Sequence, residues 1–376
     1  MPLQTIDEKY MRMALRLAEK ARGRTSPNPM VGAVVVKDGR VISRGWHKMA
    51  GEPHAEANAL AKAGTDAKGA TLYVTLEPCS HRNKRTPPCS PLVILSGVRR
   101  VVIAMIDPNP KVSGGGIRAI RKAGIEVVTG VLESEARLLN EAFIKHVTKK
   151  VPFVTLKIAQ TLDGRIATAK GESKWITGEK ARVEGHRLRD RNDAILVGIN
   201  TILKDDPALT TRIPNGRDPI RVIVDSRLRI PLRAKVLTQK SSAKTIVATL
   251  SVAPKAKVNK VRATGAEVLF VKSDKGRVDL LDLMKKLGKQ DIMSVLIEGG
   301  AEINASALKA GIVDKIIAII APTLMTGRDS LCSIGGTSPA RLSQAVHISG
   351  GSTRLIDRDL IVEGYVKKKE GRKVGR

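Results

Sequence analysis

The chain has 376 residues, more than one ordinary domain requires and enough for two, each burying its own core. Hydrophobic residues make up 42% of it, yet no apolar run is long enough to cross a bilayer, so a membrane partner is not expected. The formal charge of +30 invites anionic ligands, but with aromatics at 2% the chain lacks the rings on which single strands stack; small phosphorylated compounds are expected rather than nucleic acid.

In chain order, DEKYMRMALRLAEKARG repeats apolar residues at helical spacing (Met11, Ala14, Leu15, Ala18) and stops at Gly23. VGAVVVKDGRVISRGW predicts a hairpin, two β-branched runs joined at Lys-Asp-Gly-Arg. A short helix, HAEANALAKAG, ends at Gly64. TLYVTL, 71 to 76, is a buried strand leading into EPCS. Helix PLVILSG, strand RRVVIAMID, helix GGIRAIRKAG, strand IEVVTG and one helix from about Glu133 to His146 follow. The basic, proline-containing link HVTKKVPFV resets the pattern. It divides a first domain over 1–148 from a second over 149–367, followed by a basic tail at 368–376. The second domain supplies strands FVTLKIA, AILVG, IRVIVD, KTIVATL, AEVLFV, SVLIEGG and KIIAII. Strands alternating with helices make both domains α/β.

Chemistry concentrates in the first domain. His54, Cys79 and Cys89 offer one nitrogen and two sulfurs, the donor set that zinc accepts with its fourth position open for water. Glu56 stands two residues from His54, where side chains diverge by about half a helical turn, which suits a proton carrier rather than a fourth ligand. His-x-Glu followed by Pro-Cys and a second cysteine is the order of a zinc deaminase, although nine residues, SHRNKRTPP, separate the cysteines in place of two. Three cysteines, Cys332 included, are too few and odd for a disulfide scaffold, so a reducing cytoplasm is expected. A nucleic-acid deaminase and a binding protein with structural zinc are the competing readings. The long inter-cysteine loop and the second domain oppose the former, and Glu56 opposes the latter.

Together, TSPNPMVGAVV, GWH, HAEANAL, LEPCSH, RTPPC and DPNPKVSGGG resemble the bifunctional deaminase/reductase family of riboflavin biosynthesis. VTLKIAQTLDGRIATAKGESKWITG, ILVGINTILKDDPALTTR, VDS and LIEGG extend the resemblance through the second half, from about Met11 to Val366. It implies a cytidine-deaminase-like three-layer α/β/α domain and a dihydrofolate-reductase-like α/β domain. The implied cofactors are zinc and NADPH, and the substrate is a diaminopyrimidinone ribosylamino phosphate, deaminated and then reduced on the sugar. His54, Cys79 and Cys89 become the zinc ligands and Glu56 the acid/base. Asn28, His47 and His81 would meet the pyrimidine, and Arg85 the phosphate. Ala159, Trp175, Thr201, Asp205, Ser226, Gly299 and Gly300 would hold NADPH; Ser173, Arg189, Leu209, Arg212 and Glu298 would hold the sugar substrate. A homo-oligomer through the reductase domain is also implied. RNKR departs from the family's usual glycine before RTPP and lengthens that loop by one residue.

Overall fold

A computed structural model describes residues 5–80, 87–110 and 112–367. The chain divides into two compact units, Met1–Lys150 and Val151–Arg376. Both are mixed α/β.

The first unit runs α1 (Ile6–Glu19), β1 (Gly32–Lys37), β2 (Arg40–Trp46), α2 (Ala55–Ala63), β3 (Thr71–Leu76), α3 (Cys89–Leu95), β4 (Arg100–Met105), α4 (Gly115–Lys122), β5 (Glu126–Thr129), α5 (Glu133–Leu139) and α6 (Glu141–Lys149). Its sheet has the order β2-β1-β3-β4-β5, antiparallel across β2, β1 and β3 and parallel from β3 to β5. The hairpin turns at Asp38 and Gly39, both at positive φ, the conformation that a tight two-residue turn demands. Thr5 and Glu8 form a capping box that starts α1. Asp7 then takes two 2.8 Å bonds from Arg100, fixing α1 to β4.

Glycine sets how closely the helices approach. A Cβ at Gly45 in β2 would collide with the Ala55 carbonyl and the Ala59 amide of α2, so that helix rests backbone to backbone on the strand. Valines and isoleucines of β1, β3 and β4 fill the space beneath, and each fully buried one contributes about 1.5–3 kcal/mol.

The single helix expected from Glu133 to His146 is two helices. The break falls at Asn140, whose side chain accepts from the Met30 amide (2.8 Å) and donates to the Met30 carbonyl (3.0 Å). A buried amide needs both partners, and meeting Met30 takes precedence over helical continuity.

The second unit runs β6 (Phe153–Thr161), β7 (Arg165–Ala167), α7 (Glu179–Arg191), β8 (Ala194–Gly198), α8 (Ile199–Asp205), β9 (Ile220–Val224), α9 (Lys235–Thr238), β10 (Thr245–Thr249), α10 (Lys255–Arg262), β11 (Glu267–Phe270), β12 (Ser273–Asp274), β13 (Arg277–Val278), α11 (Leu280–Lys289), β14 (Ser294–Ile297), α12 (Ala301–Lys309), β15 (Lys315–Ala321), β16 (Leu331–Cys332), β17 (Ile348–Ile356) and β18 (Asp359–Val366). Its nine-stranded sheet has the order β11-β10-β9-β8-β14-β6-β15-β18-β17. All neighbours from β11 to β15 are parallel, and an antiparallel pair, β18 and β17, closes one edge. Ala194 and Leu196 of β8 face one core while Ile195 and Val197 face another, so helices cover both sides.

Every expected strand of this half is present. β7, β12, β13, β16, β17 and β18 were not anticipated. β17 is largely exposed at the sheet edge and interrupted by a register shift between Ser349 and Ser352, so it carries no apolar alternation to read. The basic tail at 368–376 lies outside the described residues.

Candidate active sites

In the first unit, the site forms where α2, α3 and the end of β3 meet. His54 is the N-cap of α2, in extended conformation, and Glu56 lies in that helix's first turn. Cys79 follows β3, and Cys89 opens α3. The Cys89 amide donates to Cys79 Sγ at 3.4 Å, and the Ser90 amide donates to the Cys79 carbonyl at 3.0 Å, which holds the two cysteines side by side. His54 Nδ1 lies 3.6 Å from Cys79 Sγ and 3.3 Å from Cys89 Sγ. The three donor atoms lie within 4.8 Å of one another, the one such group of three among the described residues.

Electrostatics make this group a cation site. Glu56 is 3% exposed, and burial, resisted by its own backbone N–H and by His54, pushes its carboxyl up to about 7. Cys89 is driven upward by its hydrogen bond to Cys79, by burial and by the nearby Glu56. Two sunken thiols and a carboxyl cannot all ionise beside a single imidazole. A divalent ion relieves that crowding, and one nitrogen with two sulfurs is a set that zinc accepts while leaving a position open.

His47 lies against this group, its ring edge-on to His54 at 5.3 Å between centroids. Its Nδ1 is 3.2 Å from the Pro53 carbonyl and its Nε2 is 3.1 Å from Asn28 Nδ2. A neutral ring that donates from Nδ1 and accepts at Nε2 satisfies both, so His47 orients Asn28. Asn28, His47, His54, Glu56 and Cys79 line a cavity of about 140 Å³ with Glu77, Asp107 and Asn109. His81 and Arg85 lie outside the described residues, as does the RNKR turn.

In the second unit, a cavity of about 980 Å³ opens at the carboxyl ends of the parallel strands, where α/β sheets bind ligands. Ala159 of β6 lines it, as do Thr201 and Asp205 of α8 and Ser226 just past β9. Gly299 and Gly300 after β14 line it too, with Ser173 and Trp175 from the segment after β7. Arg182 stacks 4.6 Å from the Trp175 ring. Gly299 is required by close approach, since a Cβ there would run into Ile303 of α12. That brings the free amides of the α12 N-terminus to the cavity.

The cavity's charged end is built around a buried ion pair. Arg189 does not present an open fork. Its Nε and Nη2 donate to Glu298 Oε1 and Oε2 at 2.8 and 2.9 Å, and Nη1 donates to the Thr210 carbonyl at 3.0 Å. Lys157 stands 3.7 Å from the same carboxylate. Burial alone would raise Glu298, but Arg189 and Lys157 outweigh it and hold the carboxyl at about 2. Burial, Arg189 and Arg212 together lower His186, and Arg212 lines the same end of the cavity. Leu209 is alone among the described candidates of this half in not lining the cavity; its side chain is buried in the core with Ile195 and Ile223.

The sequence reading missed Lys157, His186 and Glu77. The one signal for Lys157 is a lysine inside an otherwise apolar strand. His186 and Glu77 carry no local signal, because the groups that hydrogen-bond to them lie 24 to 40 residues away in sequence.

One imidazole and two thiols gathered beside a buried carboxyl make the first unit a zinc-dependent deaminase by class, and the second adds an α/β sheet with a large cavity at its strand ends. The cytidine and deoxycytidylate deaminase zinc-binding region matches residues 4–105, and the RibD C-terminal domain matches residues 152–356. The riboflavin biosynthesis protein RibD of Aquifex aeolicus is 46% identical over 361 residues, 96% of this chain and 98% of that one. That of Actinobacillus pleuropneumoniae is 44% identical over 360 residues, 96% and 95% of the two chains.

Among solved structures, Acinetobacter baumannii RibD matches with a TM-score of 0.86 at 37% identity, over 96% of this chain and 99% of that one. The Thermotoga maritima diaminohydroxyphosphoribosylaminopyrimidine deaminase/5-amino-6-(5-phosphoribosylamino)uracil reductase matches with a TM-score of 0.85 at 39% identity, over the same shares. The chain belongs to the RibD family of riboflavin biosynthesis proteins. It is a deaminase and a reductase in one polypeptide, with zinc and NADPH as cofactors.

Proposed function

We propose that the residues up to about 148 deaminate a diaminopyrimidinone ribosylamino 5′-phosphate and that 149–367 then reduce its ribosyl group to ribityl. The substrate is the one named for the Thermotoga maritima relative. The observation that carries the reading is Glu56, buried beside the His54, Cys79 and Cys89 donors rather than among them.

His54, Cys79 and Cys89 would hold the zinc, which when bound would supply Lewis acidity to activate water. Glu56, with its carboxyl near 7, can accept a proton and return it at cellular pH, the property an acid/base needs. It takes the proton of the attacking water and delivers it to the departing amino nitrogen, so that ammonia leaves. Asn28, held by His47, offers its amide to the pyrimidine edge.

In the second unit the protein's share is placement, and the hydride would come from NADPH when bound. Gly299, Gly300 and the α12 N-terminus suit a pyrophosphate, while Ala159, Trp175, Thr201, Asp205 and Ser226 line the rest of the cofactor's path. Arg212 takes the substrate phosphate and Ser173 neighbours it. Glu298, held rigid by Arg189, accepts from sugar hydroxyls. No helix among the described residues is long and apolar enough to cross a membrane. The proposed location is the cytoplasm, whose reducing conditions keep ligand thiols such as Cys79 and Cys89 free of disulfides.

A product assay with and without NADPH, alongside metal analysis, tests this. About one zinc per chain, ammonia release without NADPH, and NADPH oxidation only once the deaminated intermediate is supplied are expected. Zinc-free protein that still releases ammonia, or NADPH oxidation by the undeaminated compound, counts against it.

A further inference from the structure

Glu77 sits between the end of β3 and the Cys79 ligand, and the chemistry above gives it no task. It is 4% exposed, and its carboxylate accepts four main-chain bonds. Oε2 receives the amides of Asp107 (3.1 Å) and Gly114 (2.9 Å); Oε1 receives those of Gly116 (2.9 Å) and Ile117 (3.2 Å). Two of these donors belong to the first turn of α4, where a helix leaves its amides unpaired and favours a negative charge. Glu77's own amide donates to the Met105 carbonyl at 3.0 Å. A Cβ at Gly116 would collide with the Pro78 carbonyl, so the start of α4 is pressed onto the turn that carries Cys79.

One side chain therefore ties the metal-ligand turn to the described parts of 107–117. That segment carries Asp107 and Asn109, which line the same cavity as Glu56, His54 and Asn28. It is internally compact: the Asn109 amide donates to Asp107 Oδ1 at 2.9 Å, and the Val112 and Ser113 amides each donate to the Asn109 carbonyl at 3.0 Å. With four N–H groups on its two oxygens, the Glu77 carboxylate is committed to the loop and is not a second base for the substrate.

We propose that Glu77 is a positioning residue for deamination. It holds the segment from Asp107 so that Asn109 reaches the bound ring. The Asn109 amide offers both a donor and an acceptor, which matches the mixed edge of an aminopyrimidine. This rests on reading the small cavity as the deaminase site.

The test uses zinc-loaded, full-length enzyme and initial rates of ammonia release. Glu77→Gln keeps the shape but turns an NH2 group towards two N–H donors. KM is expected to rise about tenfold or more with kcat, zinc content and reduction of the supplied deaminated intermediate unchanged. Asn109→Ala should raise KM similarly. The double variant should be no worse than the weaker single, because both act through one contact. A purely structural Glu77 would lower the melting temperature and leave KM alone, or would add to Asn109→Ala; either result overturns the proposal. An unchanged KM in Asn109→Ala overturns it even if Glu77→Gln fails to fold. Unsubstituted enzyme that releases no ammonia would sink the deaminase reading instead.

Discussion

Glu298→Gln is the perturbation whose size can be worked out in advance. The native carboxylate receives two short bonds from Arg189 and faces Lys157, and all three side chains are largely buried. Bringing a carboxyl from an ordinary 4.5 down to about 2 corresponds to about 3 kcal/mol of folded-state stability at neutral pH. Removing one partner of a buried pair costs a similar amount, about 3–5 kcal/mol, because the remaining cation is stranded. A depressed acid contributes fully above its unfolded value of 4.5, and its contribution drains away as pH falls towards 2. The substituted protein should therefore lose about 3 kcal/mol at pH 7 and about 1 kcal/mol less than that at pH 3.5. Urea unfolding followed by hydrogen exchange in peptides of α7 and β14 reads the second unit alone. An equal loss at both pH values, or a loss under about 1 kcal/mol at pH 7, would refute the assignment of the carboxylate as the ionised centre of this triad.

Three further outcomes are expected. Glu56→Gln should retain zinc and reductase activity while deamination falls by about 10²–10⁴-fold, measured as ammonia release. Cys89→Ser, or exhaustive chelation of the unsubstituted enzyme, should remove zinc and deamination together and leave NADPH oxidation on the deaminated intermediate intact; atomic absorption and the two rate assays decide it. Gly299→Ala should push the start of α12 off its seat through Ile303 and raise the KM for NADPH about tenfold, roughly 1.4 kcal/mol, without touching deamination.

The legible parts were those that local chemistry dictates. His54, Glu56, Cys79 and Cys89 announce themselves because a metal and its proton carrier need those residue types in that order, and the geometry brings the three donors together. Strands such as AILVG and IRVIVD were plain because sheets buried on both faces write continuous apolar runs. Asn140 broke the reading of one long helix because its partner, Met30, lies 110 residues away. The pairing of Arg189 with Glu298 was hidden because nothing local to the arginine reveals a carboxylate 109 residues on. The C-terminal hairpin was invisible because β17, solvated at the sheet's rim, needs no alternating pattern. What escaped was long-range polar pairing, which no window of neighbours can display.

Gly45 has an effect on how this deaminase can change over time. The helix bearing the proton carrier is seated by main-chain atoms on main-chain atoms, with no intervening side chain to swell or shrink. Aliphatic residues elsewhere in the interior can be exchanged and repacked while the carboxyl keeps its distance from the donor trio. The catalytic geometry is thereby decoupled from drift in the oily interior, and the price of that freedom is one position where even a methyl group cannot enter.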